Sequence, residues 1–497
     1  MGISYYNVEY CCEIFVKTCC ATEIYRYPED KILDQEKERN NFTGTLGFVL
    51  ASAASAIGLG NIWRFPFLAA RDGGGLFLVC YLLLVATFGY TLLSSEIAIG
   101  RKTRQGPLTA YSRLHKRGGV IGVLACLVPV LILPYYCVIG GWVLKYMAAF
   151  MTGAGLEAAG DKYFTGFITS IGEPIFWFVV FMSAVMFVIF LGVEKGIEKY
   201  SKVMMPVFFL LIVGVSVYSL TLSHTDASGV TRTGLEGFMV YTVPNLEGIT
   251  LGKFLNVLMD AMGQLFYSIS VAMGIMIAYG SYAKKDVDLS KSINHIELFD
   301  TLAAFMAGVM IIPAVYTFMG KEGMSAGPSL MFISLPKVFA AMGSAGTLVG
   351  IVFFVMVTFA ALTSAMSVME AIVASFMDQF NWNRSKSTIL IGTYAMIGGI
   401  IVCLGYNVAY FELPLPNGAV AQILDLMDYI SNIVFMPLVA IGECLLIGWV
   451  VGPDWIIEEI EQGKYKFGRK NMYRIMVKYI TPVLLFVLFL QAFGVFN

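Results

Sequence analysis

The sequence predicts an all-α, polytopic membrane protein. Long apolar runs recur from residue 45 to the end of the chain, and hydrophobic residues make up 58% of the composition while charged ones make up 13%. Mean hydropathy is +0.75. Soluble domains carry roughly one quarter charged residues, so this balance describes a chain that dissolves in lipid. A formal charge of -1 leaves no electrostatic footprint for nucleic acid. No C-x-x-C pair, H-E-x-x-H or Walker-type glycine loop occurs. Nor does any grouping of nucleophile, base and oxyanion donor suggest an enzyme.

A helix needs about 20 apolar residues to cross a bilayer. Eleven stretches meet that length, at 45–70, 76–99, 119–151, 174–192, 203–223, 255–282, 292–318, 345–377, 388–405, 419–448 and 475–496. Only helices and closed barrels satisfy their backbone hydrogen bonds in lipid, and runs this long exclude barrel strands. The loops at 101–118, 193–202, 283–291, 378–387 and 452–474 hold 19 Lys and Arg, and the alternating loops hold 5. By the positive-inside rule the first set is cytoplasmic, which puts the N-terminus inside and, with an odd number of helices, Asn497 outside.

Residues 1–40 are polar, aromatic and Cys-rich without the apolar core of a signal peptide, and read as a cytoplasmic extension. Four of the nine cysteines form the doublets Cys11/Cys12 and Cys19/Cys20, which lack a well-spaced His and are not expected to bind metal. The remaining five are scattered through apolar segments, and no external disulfide is expected. Residues 325–342, broken by Pro328 and Pro336, are expected to form a re-entrant or capping segment over the outer face rather than span.

Two of the spans contain helix breakers. The first holds Gly58, Gly60, Asn61, Arg64 and Pro66 within Ala56–Pro66. Gly and Pro weaken helical hydrogen bonding, so the chain can unwind here and free carbonyl oxygens. Broken backbone at this depth is tolerated only where it is buried in protein or lines a cavity, and paired broken helices in two halves of a chain mark the binding site of many transporters. The sixth span has Gly263 and Gly274 flanking Gln264–Met273, a weaker signal because Ala272 stands where a second glycine would be more persuasive; ordinary glycine packing explains it equally well. On the eighth span, Thr363 and Ser364 are adjacent hydroxyls that either bond back to their own helix or complete an oxygen shell for a hard cation. Arg64, Glu96, Asp300, Glu370, Asp425, Asp428 and Glu443 lie within spans and should face inward with partners, with structural hydrogen bonding expected for Glu96 and Glu443.

The run A-I-G-L-G-N-I-W-R-F-P at 56–66 resembles the neurotransmitter:sodium symporter family, in particular its bacterial amino acid:sodium members. Gly73 to Gly75, Glu96 before Gly100-Arg101, Tyr135-Tyr136, the Gln264–Ser270 run and Leu362-Thr363-Ser364 follow in the family's order. The resemblance extends from about Arg39 to the end of the eleventh span. It implies a transporter domain over 41–497 with a five-plus-five inverted repeat, helices 1–5 at 45–223 and 6–10 at 255–448, and an extra helix at 475–496. Helices 1 and 6 would be discontinuous.

Carried over by motif, a first sodium site would use Ala56, Asn61, Ser268 and Asp300, and a second Ala54, Ile57, Ala360, Thr363 and Ser364. Substrate would sit between the broken helices, its carboxylate near Tyr136 and the amides of Leu59 and Gly60, its ammonium on the carbonyls of Ala56, Tyr267 and Ser268. Ile132, Phe266, Ser270, Met273 and Val368 would line the side-chain pocket, with Ala272 shaping its floor. Arg64 and Asp428 would form an outer gate above Tyr267. Arg39 and Asp378 would form an inner one near Tyr282 and Phe42. Gly196 and Pro206 match the family's G-x9-P pattern, which is thought to unwind, although a plain helix start with Pro in its first turns fits as well.

Amine carriers of the family place an Asp where this chain has Gly58, so the resemblance implies a neutral, hydrophobic or aromatic amino acid carried with sodium and no organic cofactor. An amine or compatible-solute symporter, or a transporter-like sensor or channel, is the alternative. Asp300 replaces the commoner Asn and Ala304 replaces the Ser of chloride-dependent members, which implies transport without chloride and, should Asp300 take up a proton as sodium leaves, pH-sensitive counter-transport. The helix count and the lack of an external disulfide suggest a prokaryotic plasma membrane. On this topology, a cysteine introduced between 152 and 173 reacts with a membrane-impermeant maleimide on intact cells, and one between 101 and 118 reacts only after permeabilisation; the reverse pattern inverts the assignment.

Overall fold

Long apolar sequence gives long helices, even across Pro129, Pro134, Pro206 and Pro313, and among the described residues eight are long and apolar enough to cross a membrane, or nine if a bent pair counts as one span. The computed structural model describes residues 41–226, 229–324, 329–416, 418–493 and 495. The N-terminal extension with its Cys doublets and Arg39 lies outside them, as do residues 325–328. Asn41–Asn497 forms one compact unit.

In chain order the bent pair is α1 (Thr45–Ala56) and α2 (Gly60–Arg71), inclined at 55°. Next come α3 (Gly75–Thr103) and α4 (Lys116–Met151). Helices α5 (Gly172–Gly192) and α6 (Lys199–Leu220) follow. The second half opens with α7 (Leu251–Ser268), α8 (Ile275–Tyr282) and α9 (Leu289–Met319). A shorter apolar helix, α10 (Leu330–Ala341), precedes α11 (Ser344–Phe380) and α12 (Arg384–Leu404). Helices α13 (Ile423–Val451) and α14 (Lys470–Gln491) close the chain.

Helix therefore occupies each of the eleven apolar segments, with three departures from the expected boundaries. The expected loop at 193–202 is helical throughout, wound in wider π-type turns over Val193–Glu198 after Gly192 turns the chain at φ +85°. Residues 420–421 are not helical but pair with Leu413–Pro414 in a short antiparallel ladder, so α13 begins only at Ile423. A second ladder joins Ser223–Thr225 to Thr231–Thr233. Of the segment expected to cap the outer face, α10 packs through Phe332 on Trp142 and Tyr146, whose hydroxyl donates to the Phe332 carbonyl at 2.8 Å.

Helix ends carry the side chains that satisfy orphan amides. Asp288 accepts from the Lys291 amide at 3.1 Å, and Asn383 from the Lys386 amide at 2.9 Å. Leu82, Leu83, Phe187, Leu210, Ile401 and Phe486 are exposed on the outside of the bundle, as a surface bathed in hydrocarbon requires.

Where α3 meets α8 the two backbones touch. A Cβ on Gly100 would lie 2.0 Å from the Ile277 carbonyl oxygen, and one on Gly280 would lie 2.3 Å from that of Ile97. Small residues let membrane helices approach this closely. Gly280→Ala should therefore destabilise by about 1–3 kcal/mol, because backbone cannot yield as a flexible side chain can. Gly214 on α6 has nothing within 4 Å, and Gly214→Ala should be neutral or stabilising by up to about 1 kcal/mol. Melting temperatures of the two purified variants in detergent check the opposite signs.

Candidate functional site

Both breaks read from the sequence are present. After Ala56 the chain leaves the helix at Ile57, with ψ 102°. The Gly58 amide turns to Asn61 Oδ1 at 3.1 Å and the Leu59 amide to the Tyr136 hydroxyl at 3.4 Å. An intact helix would have directed these amides to the carbonyls of Ala54 and Ser55, so the break releases those oxygens. In the second half, Ser270, Ala272 and Gly274 have φ of +56°, +61° and +71° between α7 and α8. Left-handed backbone is strained for serine and alanine, and such strain collects at functional sites. The Ala272 amide is held by the buried carboxylate of Glu96.

The breaks face each other through side chains far apart in sequence. Asn61 Nδ2 donates to Ser268 Oγ and to Asp300 Oδ1, both at 2.8 Å. Ser268 Oγ donates in turn to Asp300 at 2.8 and 3.1 Å, and the Tyr81 hydroxyl reaches the same carboxylate at 3.4 Å. Gln264 Nε2 takes the Gly60 carbonyl at 3.1 Å. Asp300 is fully buried, and every donor named here is neutral. Of the four residues expected for a first cation site, Asn61, Ser268 and Asp300 thus form one hydrogen-bonded cluster.

The adjacent hydroxyls of α11 behave differently from each other. Thr363 bonds back to its own helix, at 2.9 Å to Phe359 O and 3.1 Å to Ala360 O. Ser364 instead crosses to the Ser55 carbonyl at 2.8 Å, and Ser270 reaches the same oxygen at 3.1 Å. One released carbonyl therefore joins α1, the unwound segment before α8, and α11.

A small cavity of about 40 Å³ lies between the breaks. Ala56, Gly58, Leu59, Gly60, Ile132, Tyr136, Tyr267, Ser270, Met273 and Val368 line it as expected, and so does Asn61. Three expected pocket residues do not line it. Phe266 turns away to pack on Phe88 with ring centroids 6.2 Å apart, Ser268 is engaged with Asp300, and Ala272 presents its backbone to Glu96. Ser55, Ile275 and Ser364 join the lining instead. Ile275 opens α8 directly after Gly274, and Ser55 sits in the last turn before the first break, so a reading centred on the breakers could have included both. No side chain in the lining carries a charge. A Cβ on Gly58 would lie 2.7 Å from Ser364 Oγ and 3.0 Å from the Tyr136 hydroxyl, so this position has no space for a carboxylate.

The outer gate is not formed as an ion pair. Arg64 lies over the Tyr267 ring, 5.7 Å from its centroid, while Asp428 accepts from Tyr135 at 3.0 Å and from Asn432 at 2.6 Å. Those two neutral donors satisfy the carboxylate without the guanidinium. On the opposite side Arg39 lies outside the described residues, and Asp378 accepts from the Gly106 amide. Here Phe42 is buried, its ring 5.7 Å from Tyr279 and 6.2 Å from Tyr282, and its amide donates to the Tyr282 carbonyl at 3.1 Å. Tyr282 donates to Glu370 at 2.6 Å, and Arg384 grips that carboxylate through two nitrogens at 2.7 and 2.8 Å. Glu443 accepts from Tyr111 at 2.6 Å, so Glu96 and Glu443 are hydrogen-bonded as expected.

The chain matches the sodium:neurotransmitter symporter family over residues 39–166 and 161–497. An uncharacterised sodium-dependent transporter of Bacillus subtilis (strain 168) is 32% identical to it, across 93% of this chain and 99% of the relative. Another, from Methanocaldococcus jannaschii, is 30% identical across 92% of this chain and 91% of its own. The crystal structure of MhsT in complex with L-phenylalanine superposes with a TM-score of 0.79 at 33% identity, covering 92% of this chain and all of that one. The chain accordingly belongs to the sodium:neurotransmitter symporter family and is a sodium-dependent transporter of many membrane-crossing helices.

Proposed function

We propose that the protein carries a neutral, hydrophobic or aromatic amino acid inward together with sodium, and does so without chloride. The observation that carries this reading is the cavity lining. Apolar and uncharged polar groups surround a space with no charged side chain, and Gly58 supplies no carboxylate, and has no room for one, where an amine would need it. A charged substrate side chain would lose its water there without gaining a partner, at a cost of several kcal/mol. The α-carboxylate and α-ammonium of an amino acid have counterparts, namely the amide and hydroxyl groups at Leu59, Gly60 and Tyr136 and the carbonyls of the two breaks. The phenylalanine bound to MhsT at 33% identity supports the same class.

In this reading one sodium takes the oxygens at Ala56, Asn61, Ser268 and Asp300, and the other those at Ala54, Ile57, Ala360, Thr363 and Ser364. Hard cations favour such oxygen shells. The fixed charge of Asp300, surrounded by neutral donors, supplies beside the first sodium what a bound anion would otherwise supply. With substrate and sodium in place, Arg64 moves from the face of Tyr267 to Asp428, the outer side shuts, and the inner side opens where Phe42 is packed. The sodium gradient and a membrane potential worth about 2.3 kcal/mol per charge per 100 mV drive entry.

Two outcomes check this. In proteoliposomes under an imposed inward sodium gradient, with gluconate as the only anion, labelled phenylalanine or leucine should accumulate while glutamate and lysine do not; uptake that needs chloride or favours a charged substrate overturns the assignment. Thr363→Ala combined with Ser364→Ala should cut sodium-driven uptake at least tenfold, roughly what losing one charge-assisted oxygen contact produces. Undiminished uptake would remove the second cation site.

A further inference from the structure

Four cations lie along the first turns of α14 and the residue before it, and three of them have a carboxylate. Arg469 reaches Glu297 at 3.4 Å, Lys470 reaches Glu461 at 3.3 Å, and Arg474 pairs with Asp454. Lys478, one turn beyond Arg474, forms no ion pair among the described residues. Its ammonium lies over two rings, 4.9 Å from the centroid of Trp449 and 5.6 Å from that of Tyr479. The residue falls inside the span 475–496, about 5 Å past the end that the distribution of Lys and Arg places on the inner side. A charge within a span calls for a partner, and no acidic side chain supplies one here.

The rings around Lys478 are fixed by backbone. Trp449 Nε1 donates to the Lys478 carbonyl at 2.9 Å, and the two rings meet edge to face with centroids 5.6 Å apart. Both helices carry wide turns where they pack, Leu446–Val451 in α13 and Met476–Ile480 in α14. Such turns are rare and collect at functional sites. A Cβ on Gly448 would lie 3.1 Å from Lys478 Cα, so the indole, the lysine and the contact of α13 with α14 form one unit. Trp449 and Tyr479 are nevertheless 58% and 52% exposed, and Ile475, Ile480 and Val483 of α14 are exposed as well. This face is turned to lipid. Indole and phenol rings suit the boundary between headgroups and acyl chains, having an apolar body and one polar edge.

We propose that Lys478, Trp449 and Tyr479 form a binding site for an anionic glycerophospholipid of the inner leaflet, its phosphodiester on the Lys478 ammonium and its glycerol end against the two rings. The carboxylates nearby are taken by Arg469, Lys470 and Arg474, so the site keeps one positive charge that a net-negative headgroup cancels. A zwitterionic headgroup brings a cation of its own, which meets Lys478 with like charge. Because the indole is bonded to α14 and carried on α13, a lipid seated here joins the two helices from outside. The site needs only the membrane-spanning fold and is independent of which solute is carried.

Melting temperatures of the purified full-length protein in detergent, titrated with phosphatidylglycerol or with phosphatidylcholine of the same acyl chains, test this, since a ligand that binds the folded state raises its stability. Phosphatidylglycerol should act at about tenfold lower concentration, the scale set by one charge-assisted hydrogen bond. Lys478→Met should abolish that gap and Lys478→Arg should keep it. Lys116→Met, which removes an exposed lysine of another loop, should leave it unchanged. Trp449→Leu should narrow the gap, and it serves where Lys478→Met does not fold. Inorganic phosphate at the same concentrations should shift nothing. Equal response to the two lipids, a gap that survives Lys478→Met, an equal loss in Lys116→Met, or a shift with phosphate alone overturns the site.

Discussion

Within hydrocarbon a peptide N–H or C=O without a partner costs several kcal/mol, and this protein interrupts two helices at that depth. Everything around the cavity follows from meeting that demand. Asn61 and Tyr136 take the amides released at Gly58 and Leu59, Glu96 takes that of Ala272, and Gln264 covers the Gly60 carbonyl. Asn61 is local to the first break, but the other partners come from α4, α3 and α7, so the breaks depend on the assembled bundle. The Ser55 carbonyl, bound by hydroxyls from Ser270 and Ser364, shows the same logic from the acceptor side.

Buried charges divide by the kind of partner they have. Arg101 with Glu459 at 2.6 Å, and Arg384 with Glu370 at 2.7 Å, are cancelled pairs, each with further hydrogen bonds that a buried ion pair needs. Asp300 and Asp428 instead receive neutral donors from Asn, Ser and Tyr side chains. A cancelled pair fastens helices together. Asp300 and Asp428 lie at the first break and at the expected outer gate, while Glu96 and Glu443 likewise meet only neutral donors.

Much of this was legible in the residues. Apolar length located the helices, and the crowding of glycine, asparagine, arginine and proline at 56–66 marked the first break. The second was fainter because serine and alanine, not glycine, adopt the left-handed backbone at 270 and 272, where only surrounding structure enforces it. Side-chain direction was beyond reach: spacing cannot show that Phe266 turns to Phe88 or that Arg64 prefers a ring to Asp428. Partners distant in sequence, such as Arg384 for Glu370 and Glu198 for Thr43, emerge only once the helices are packed. The wide turns at 193–198 escaped because charged residues there read as a loop.

The left-handed serine and alanine also bear on how the chain is made. Until the bundle has packed around it, the sixth segment lacks Glu96, the partner of its Ala272 amide, and in lipid a continuous helix is then the cheaper form. Left-handed geometry costs a non-glycine residue roughly 1–2 kcal/mol, which tips the lone segment further toward winding. The kink at 269–274 is thus a late product of biogenesis, formed as α3 and the N-terminal half close around it, and a nascent chain stalled before that step would carry a straight rod where the mature protein has its cavity.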